Sequence, residues 1–134
     1  MAFKKSSGRQ QIIIAYADFD YTQLTDATFK GLIELPANAV VEGGALVVKT
    51  AWNSVTSDVC EVGDANDVDR YKTSYSIAAT GLTALVPTGF ICTVPTLVGV
   101  KWDGAGTAPS AGAARLSISY YVIGRSQFNQ GLDN

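Results

Sequence analysis

The chain has 134 residues, 47% of them hydrophobic and only 16% charged, with a formal net charge of -2 and no histidine. That length suits one domain with a real core, and the charge balance supplies no field to draw nucleic acid or an anionic membrane. Without histidine no Ser-His-Asp or Cys-His nucleophile can be built, and two cysteines are too few for a thiolate zinc site.

The opening stretch MAFKKSSGRQ carries Lys4, Lys5 and Arg9. It reads as an N-terminal arm over residues 1–10, either solvated and mobile or in contact with an acidic partner. The apolar run Ile12–Ala17 stops at Asp18, far short of the roughly 20 residues that a membrane helix needs. It also lacks a signal-peptide cleavage pattern, so the expected compartment is a cytoplasm.

β-Branched and aromatic residues make Gln10–Phe19 a first strand, and Gly31–Pro36 a second that ends where Pro36 cannot donate to a ladder. A turn follows with Gly43-Gly44 behind it, then a long strand over Ala45–Ser54. In Ser57–Gly63, Val59 and Glu61 alternate with Cys60 and Val62, as a half-buried strand should. The segment Asp67–Gly81 fits two readings: Val68, Tyr71, Tyr75 and Ala78 lie near helical spacing, and Thr73–Ile77 suits a strand. Phe90–Pro95 and Thr96–Trp102 read as strands, and Asp103–Ala114 as a small-residue loop. In the closing strand Arg115–Gly124, Leu116, Ile118, Tyr120 and Val122 share one face. Residues 126–134 form a polar tail. About seven to eight short strands at regular spacing predict an all-β antiparallel β-sandwich, jelly-roll-like, over residues 11–125.

The densest run of oxygen ligands is VGDANDVDRY, Val62–Tyr71. Asp64, Asn66, Asp67 and Asp69 are the calcium candidates. Against the helix-loop-helix calcium loop, Val68 stands at position five, Asp69 replaces the glycine of position six, and Tyr75 replaces the glutamate of position twelve. The competing reading is a turn: Asn and Asp bond to nearby backbone, Gly63 permits a positive φ, Asn66 or Asp67 caps a short helical turn, and Arg70 pairs with a carboxylate. The turn is favoured. No Gly-rich phosphate loop is present and no motif marks a carboxylate pair, so the chain reads as a non-enzyme without a cofactor or catalytic residue. Cys60 and Cys92 read as buried free thiols. Trp52 and Trp102 suit core or subunit-interface packing, with a sugar-stacking platform as the sharper alternative. Tyr120-Tyr121 sends one ring to each face of its strand. The candidate interface residues are therefore Trp52, Trp102, Tyr120 and Tyr121, with Lys4, Lys5 and Arg9 of the arm.

The run IELPANAVVEGGALVVKTAWNS, then SDVCEVGDANDVDRY, a small-residue loop and the closing RLSISYYVIGR resembles the capsid decoration, or cement, proteins of tailed bacteriophages. The likeness spans roughly residues 31–124 and rests on structural motifs. It implies a sandwich that binds the outside of an icosahedral shell as a homo-oligomer, dimer or trimer. Such a protein bridges neighbouring major capsid proteins and stabilises the shell against packaged DNA, after assembly in the host cytoplasm. Related phage sandwiches serve in tails and fibres, so a carbohydrate- or receptor-binding module is the alternative.

Overall fold

The structure, a computed structural model, describes residues 12–124. Its strands are β1 (Ile13–Asp20), β2 (Thr28–Leu35), β3 (Ala39–Thr50), β4 (Ser57–Asp64), β5 (Asp67–Ser76), β6 (Gly81–Ala84), β7 (Ile91–Cys92), β8 (Thr96–Ala105) and β9 (Ala113–Val122). Every pairing is antiparallel. One sheet runs β1-β9-β3-β6, with β7 also on β3, and the other runs β2-β8-β4-β5. The chain changes sheet between β1 and β2, β2 and β3, β3 and β4, β5 and β6, β7 and β8, and β8 and β9. That interleaved order is a jelly roll, as the strand spacing predicted.

Alternation places the core between the sheets. In β9, Ala114, Leu116, Ile118, Tyr120 and Val122 are buried, while Arg115, Ser117, Ser119 and Tyr121 point outward. In β8 the inward residues are Val98, Val100 and Trp102, and in β4 they are Cys60 and Val62. Asp58, a carboxylate buried in the core, accepts from the Trp102 indole Nε1 at 2.9 Å and the Ser54 amide at 2.8 Å. Those bonds offset the cost of burying a charge.

Several expected boundaries move. β5 is a strand from Asp67 onward, and no helical turn starts at Val68; pairing with β4 overrides the local spacing. Among the described residues the helical element is a single 3-10 turn, Tyr21–Gln23, capped by Asp20. β3 begins at Ala39 and runs through Gly43-Gly44, where a turn was expected. A Cβ on Gly44 would meet the Ser117 carbonyl at 2.2 Å, so the glycine admits β9 at close range. Trp52 lies past the end of β3, its amide donating to the Ile77 carbonyl at 3.0 Å. β8 and β9 both extend into the expected loop, and β6 had no clear signal.

Candidate interaction surfaces

The acidic corner is a β-hairpin. Asp64 pairs with Asp67 across Ala65-Asn66, and Asp64 Oδ1 accepts from the amides of Asn66 at 2.9 Å and Asp67 at 3.0 Å. Arg70 Nε donates to Asp64 Oδ2 at 2.7 Å, and its guanidinium lies 3.5 Å over the Phe90 ring. Asp64 is 2% exposed, so a guanidinium and two backbone amides occupy the carboxylate a cation would have needed. Asp67 and Asp69 stand beside each other, and their side-chain hydrogen bond raises the Asp67 pKa. Of the four calcium candidates only Asp64 is buried, and among the described residues no group of three or more His, Cys, Asp or Glu is placed to hold a metal.

Gly63 plays a different part from the one expected. It sits inside β4 with no positive φ, and a Cβ there would lie 2.2 Å from the Asp67 carbonyl. Between Val62↔Lys72 and Asp64↔Asp67, Gly63 alone faces Val68, Asp69, Arg70 and Tyr71. The surplus of β5 bulges over the glycine and returns Arg70 to Asp64.

The aromatic candidates divide by burial. Trp52 and Trp102 are 2% and 6% exposed, and Phe19 packs 6.0 Å from Trp52 between ring centroids. Both indoles belong to the core, which removes them as contact residues and as a sugar platform. Tyr120 is likewise inside, and Tyr121 lies on the outer face. Lys4, Lys5 and Arg9 fall outside the described residues. Cys60 and Cys92 are buried and unbridged. Burial pushes the Cys60 thiol up to about 12, away from a nucleophile.

The two outer faces differ in chemistry. On the four-stranded sheet, Lys101 of β8 lies 3.6 Å from Glu61 and 3.4 Å from Asp103, and Leu97, which faces Glu34, is 51% exposed. Across the five-stranded sheet the register sets apolar and small residues in rows. Tyr16 faces Ser117, which faces Ala45, which faces Ala84; Ile14 faces Ser119, which faces Gly43. Ile14, Tyr16 and Leu82 are 68%, 63% and 66% exposed. At one end Asp18 accepts from Arg115 Nε at 2.8 Å and Lys49 Nζ at 3.1 Å. Arg115, then Lys49, holds the Asp18 carboxyl down at about 2. This face was missed in the sequence, although Ile12–Tyr16 is apolar at both parities, a pattern that buries both sides of a strand.

No family model matches the chain, and no curated protein sequence matches it. Solved structures that share its fold include chains of three phage capsids. A chain of the cyanophage Pam1 capsid asymmetric unit is 20% identical, with a TM-score of 0.71, covering 91% of this chain and 92% of that one. A chain of the capsid of Ralstonia phage GP4 is 16% identical at a TM-score of 0.65, covering 91% of each. A chain of the acidic stable capsid of Helicobacter pylori bacteriophage KHP30 is 15% identical at 0.62, covering 84% of this chain and 93% of that one. The jelly roll of this chain is thus similar, over most of its length, to chains found in phage capsids.

Proposed function

We propose that the protein is a non-catalytic structural component of a tailed-bacteriophage virion. In this reading it binds the outer surface of the capsid as a homo-oligomer and bridges neighbouring major capsid proteins. The observation that carries it is a near end-to-end match of the jelly roll to chains of phage capsids, the fold the strand-and-corner motifs implied. The tail or fibre alternative rested on Trp52, Trp102 and the acidic corner; both indoles are buried, and Arg70 holds the corner's Asp64.

Purified protein mixed with shells lacking it should co-sediment in stoichiometric amounts and appear as ordered density on the outside by cryo-electron microscopy. Shells with the protein should open at higher temperature than shells without it. Protein that stays in the supernatant, or density confined to a tail, overturns the proposal.

A further inference from the structure

We infer that residues 81–95, which carry β6 and β7, form a strap that fastens the two sheets along one side and releases as a unit while the rest of the sandwich stays folded. Two neighbouring amides make the fastening. Leu85 donates to the Gly44 carbonyl of β3 at 3.0 Å, and Val86 donates to the Tyr71 carbonyl of β5 at 2.8 Å. One bond therefore goes to the five-stranded sheet and the next to the four-stranded sheet. Phe90 adds a second tie to the four-stranded sheet, its ring 3.5 Å from the Arg70 guanidinium. The chain then returns to β3, where β7 pairs only as Ala39↔Cys92 and Val40↔Ile91.

Little burial holds this segment in place. Of residues 81–95 only Leu85 and Cys92 are buried, whereas β9 buries Ala114, Leu116, Ile118, Tyr120 and Val122. Both β6 and β7 pair with β3 alone, so release of the strap leaves every other ladder intact. Val41, Leu46, Leu116, Ile118, Val62, Val98 and Val100 of the core all come from strands outside it. A peripheral segment with short ladders and few buried side chains opens more readily than the core beneath it, and it regains backbone entropy in doing so. The chain carries its own reporters of this motion. Cys92 lies on the strap and Cys60 in β4, between β5 and β8, and both are buried. Release of the strap bares Cys92, and only loss of the sandwich bares Cys60.

Pulses of an alkylating reagent on the full chain, read by peptide mass spectrometry, give both rates in one sample. Cys92 should be alkylated at least about tenfold faster than Cys60 in buffer, with a weaker dependence on urea because less surface is exposed in opening. Hydrogen exchange should show the Leu85 and Val86 amides opening with Cys92 and not with the amides of β9. Phe90→Ala removes the stack and should speed Cys92 by about threefold or more while leaving Cys60 within about twofold. Equal rates at the two thiols with one urea dependence overturn the inference. So does a Phe90→Ala chain in which Cys92 is unchanged or both thiols are accelerated alike. Alkylation of Cys92 that outpaces exchange at Leu85 and Val86 overturns it too, because the thiol is then reached without release of the strap. None of these readouts involves a shell, so the outcome is independent of the proposed capsid role.

Discussion

The two outer faces of this sandwich are built from strands of similar length around one shared core, yet backbone packs closely over a glycine row on one, and the other has no such row. On the four-stranded sheet the register aligns Gly31, Gly99 and Gly63 across β2, β8 and β4. Both edge strands use that row. β2 shifts register between Gly31 and Ile33, and β5 bulges over Gly63, so backbone lies close over the sheet. On the five-stranded sheet β1 runs in unbroken register, and large apolar side chains stand in the open. Inner faces of a sandwich must resemble each other because they fill the same core. Outer faces are free to differ, and here they differ in how closely backbone packs over them.

The sharpest way to break this comparison is to add one methyl group to each face. A Cβ at Gly99 would lie 1.8 Å from the Lys30 carbonyl and 2.8 Å from the Gly31 Cα, both backbone atoms. Gly99→Ala should therefore cost about 3 kcal/mol or more, read as a lower denaturant midpoint. At Gly43 on the other face the nearest atom is Ser119 Oγ at 3.3 Å, the end of a side chain that can turn away. Gly43→Ala should stay within about 1 kcal/mol of wild type. Equal effects at the two positions would mean that the four-stranded face is not closed by backbone approach.

A smaller but still large effect is expected at the corner. Arg70→Ala leaves the Asp64 carboxylate buried with two amide donors and no cation, which should cost about 2–4 kcal/mol. Arg70→Lys should recover only part, because an ammonium cannot reproduce the planar fork or its stacking on Phe90. Thermal unfolding followed by circular dichroism separates the three proteins. Calcium should leave the wild-type melting temperature unchanged, since Arg70 holds the Asp64 oxygens; a rise on adding calcium would restore the corner as a cation site.

Much of this was legible in the residues. The alternation in Arg115–Gly124 and in Ser57–Gly63 identified which side chains face the core, and Arg70 was correctly placed as a partner for a corner carboxylate. The misses share a cause. Gly43-Gly44 and Gly63 look like turn formers because local chemistry cannot tell a glycine that turns the chain from one inside a strand: Gly44 takes its positive φ within β3, and Gly63 is needed where β5 approaches. Val68–Tyr71 looks helical because a bulge, like a helix, interrupts the period of two. Trp52 was set inside a strand and turned out to lie beyond one, in the core all the same, because burial follows the apolar surface rather than the element. The open face escaped for another reason: its members Ile14, Tyr16, Ser117, Ala45 and Leu82 come from four strands, and only the sheet order brings them together.

The smallest expected effect belongs to the charged end of the open face. Asp18 is surface-exposed, and Arg115, then Lys49, lowers its carboxyl from 3.8 to about 2. A carboxylate with a depressed folded-state pKa contributes stability that is fully present above its unfolded value and lost as pH falls through the folded one. The melting temperature of wild type should therefore exceed that of Asp18→Asn slightly near neutrality, with the gap closing as pH drops from about 4 toward 2. Screening at an exposed site keeps the gap small, and added salt should narrow it further. Carboxyl carbon NMR gives the direct reading: the Asp18 resonance should titrate near 2 in wild type, and Arg115→Gln should move that midpoint up toward the ordinary aspartate range. A midpoint already near 3.8 in wild type would show that the Asp18–Arg115–Lys49 cluster is not formed in the free protein.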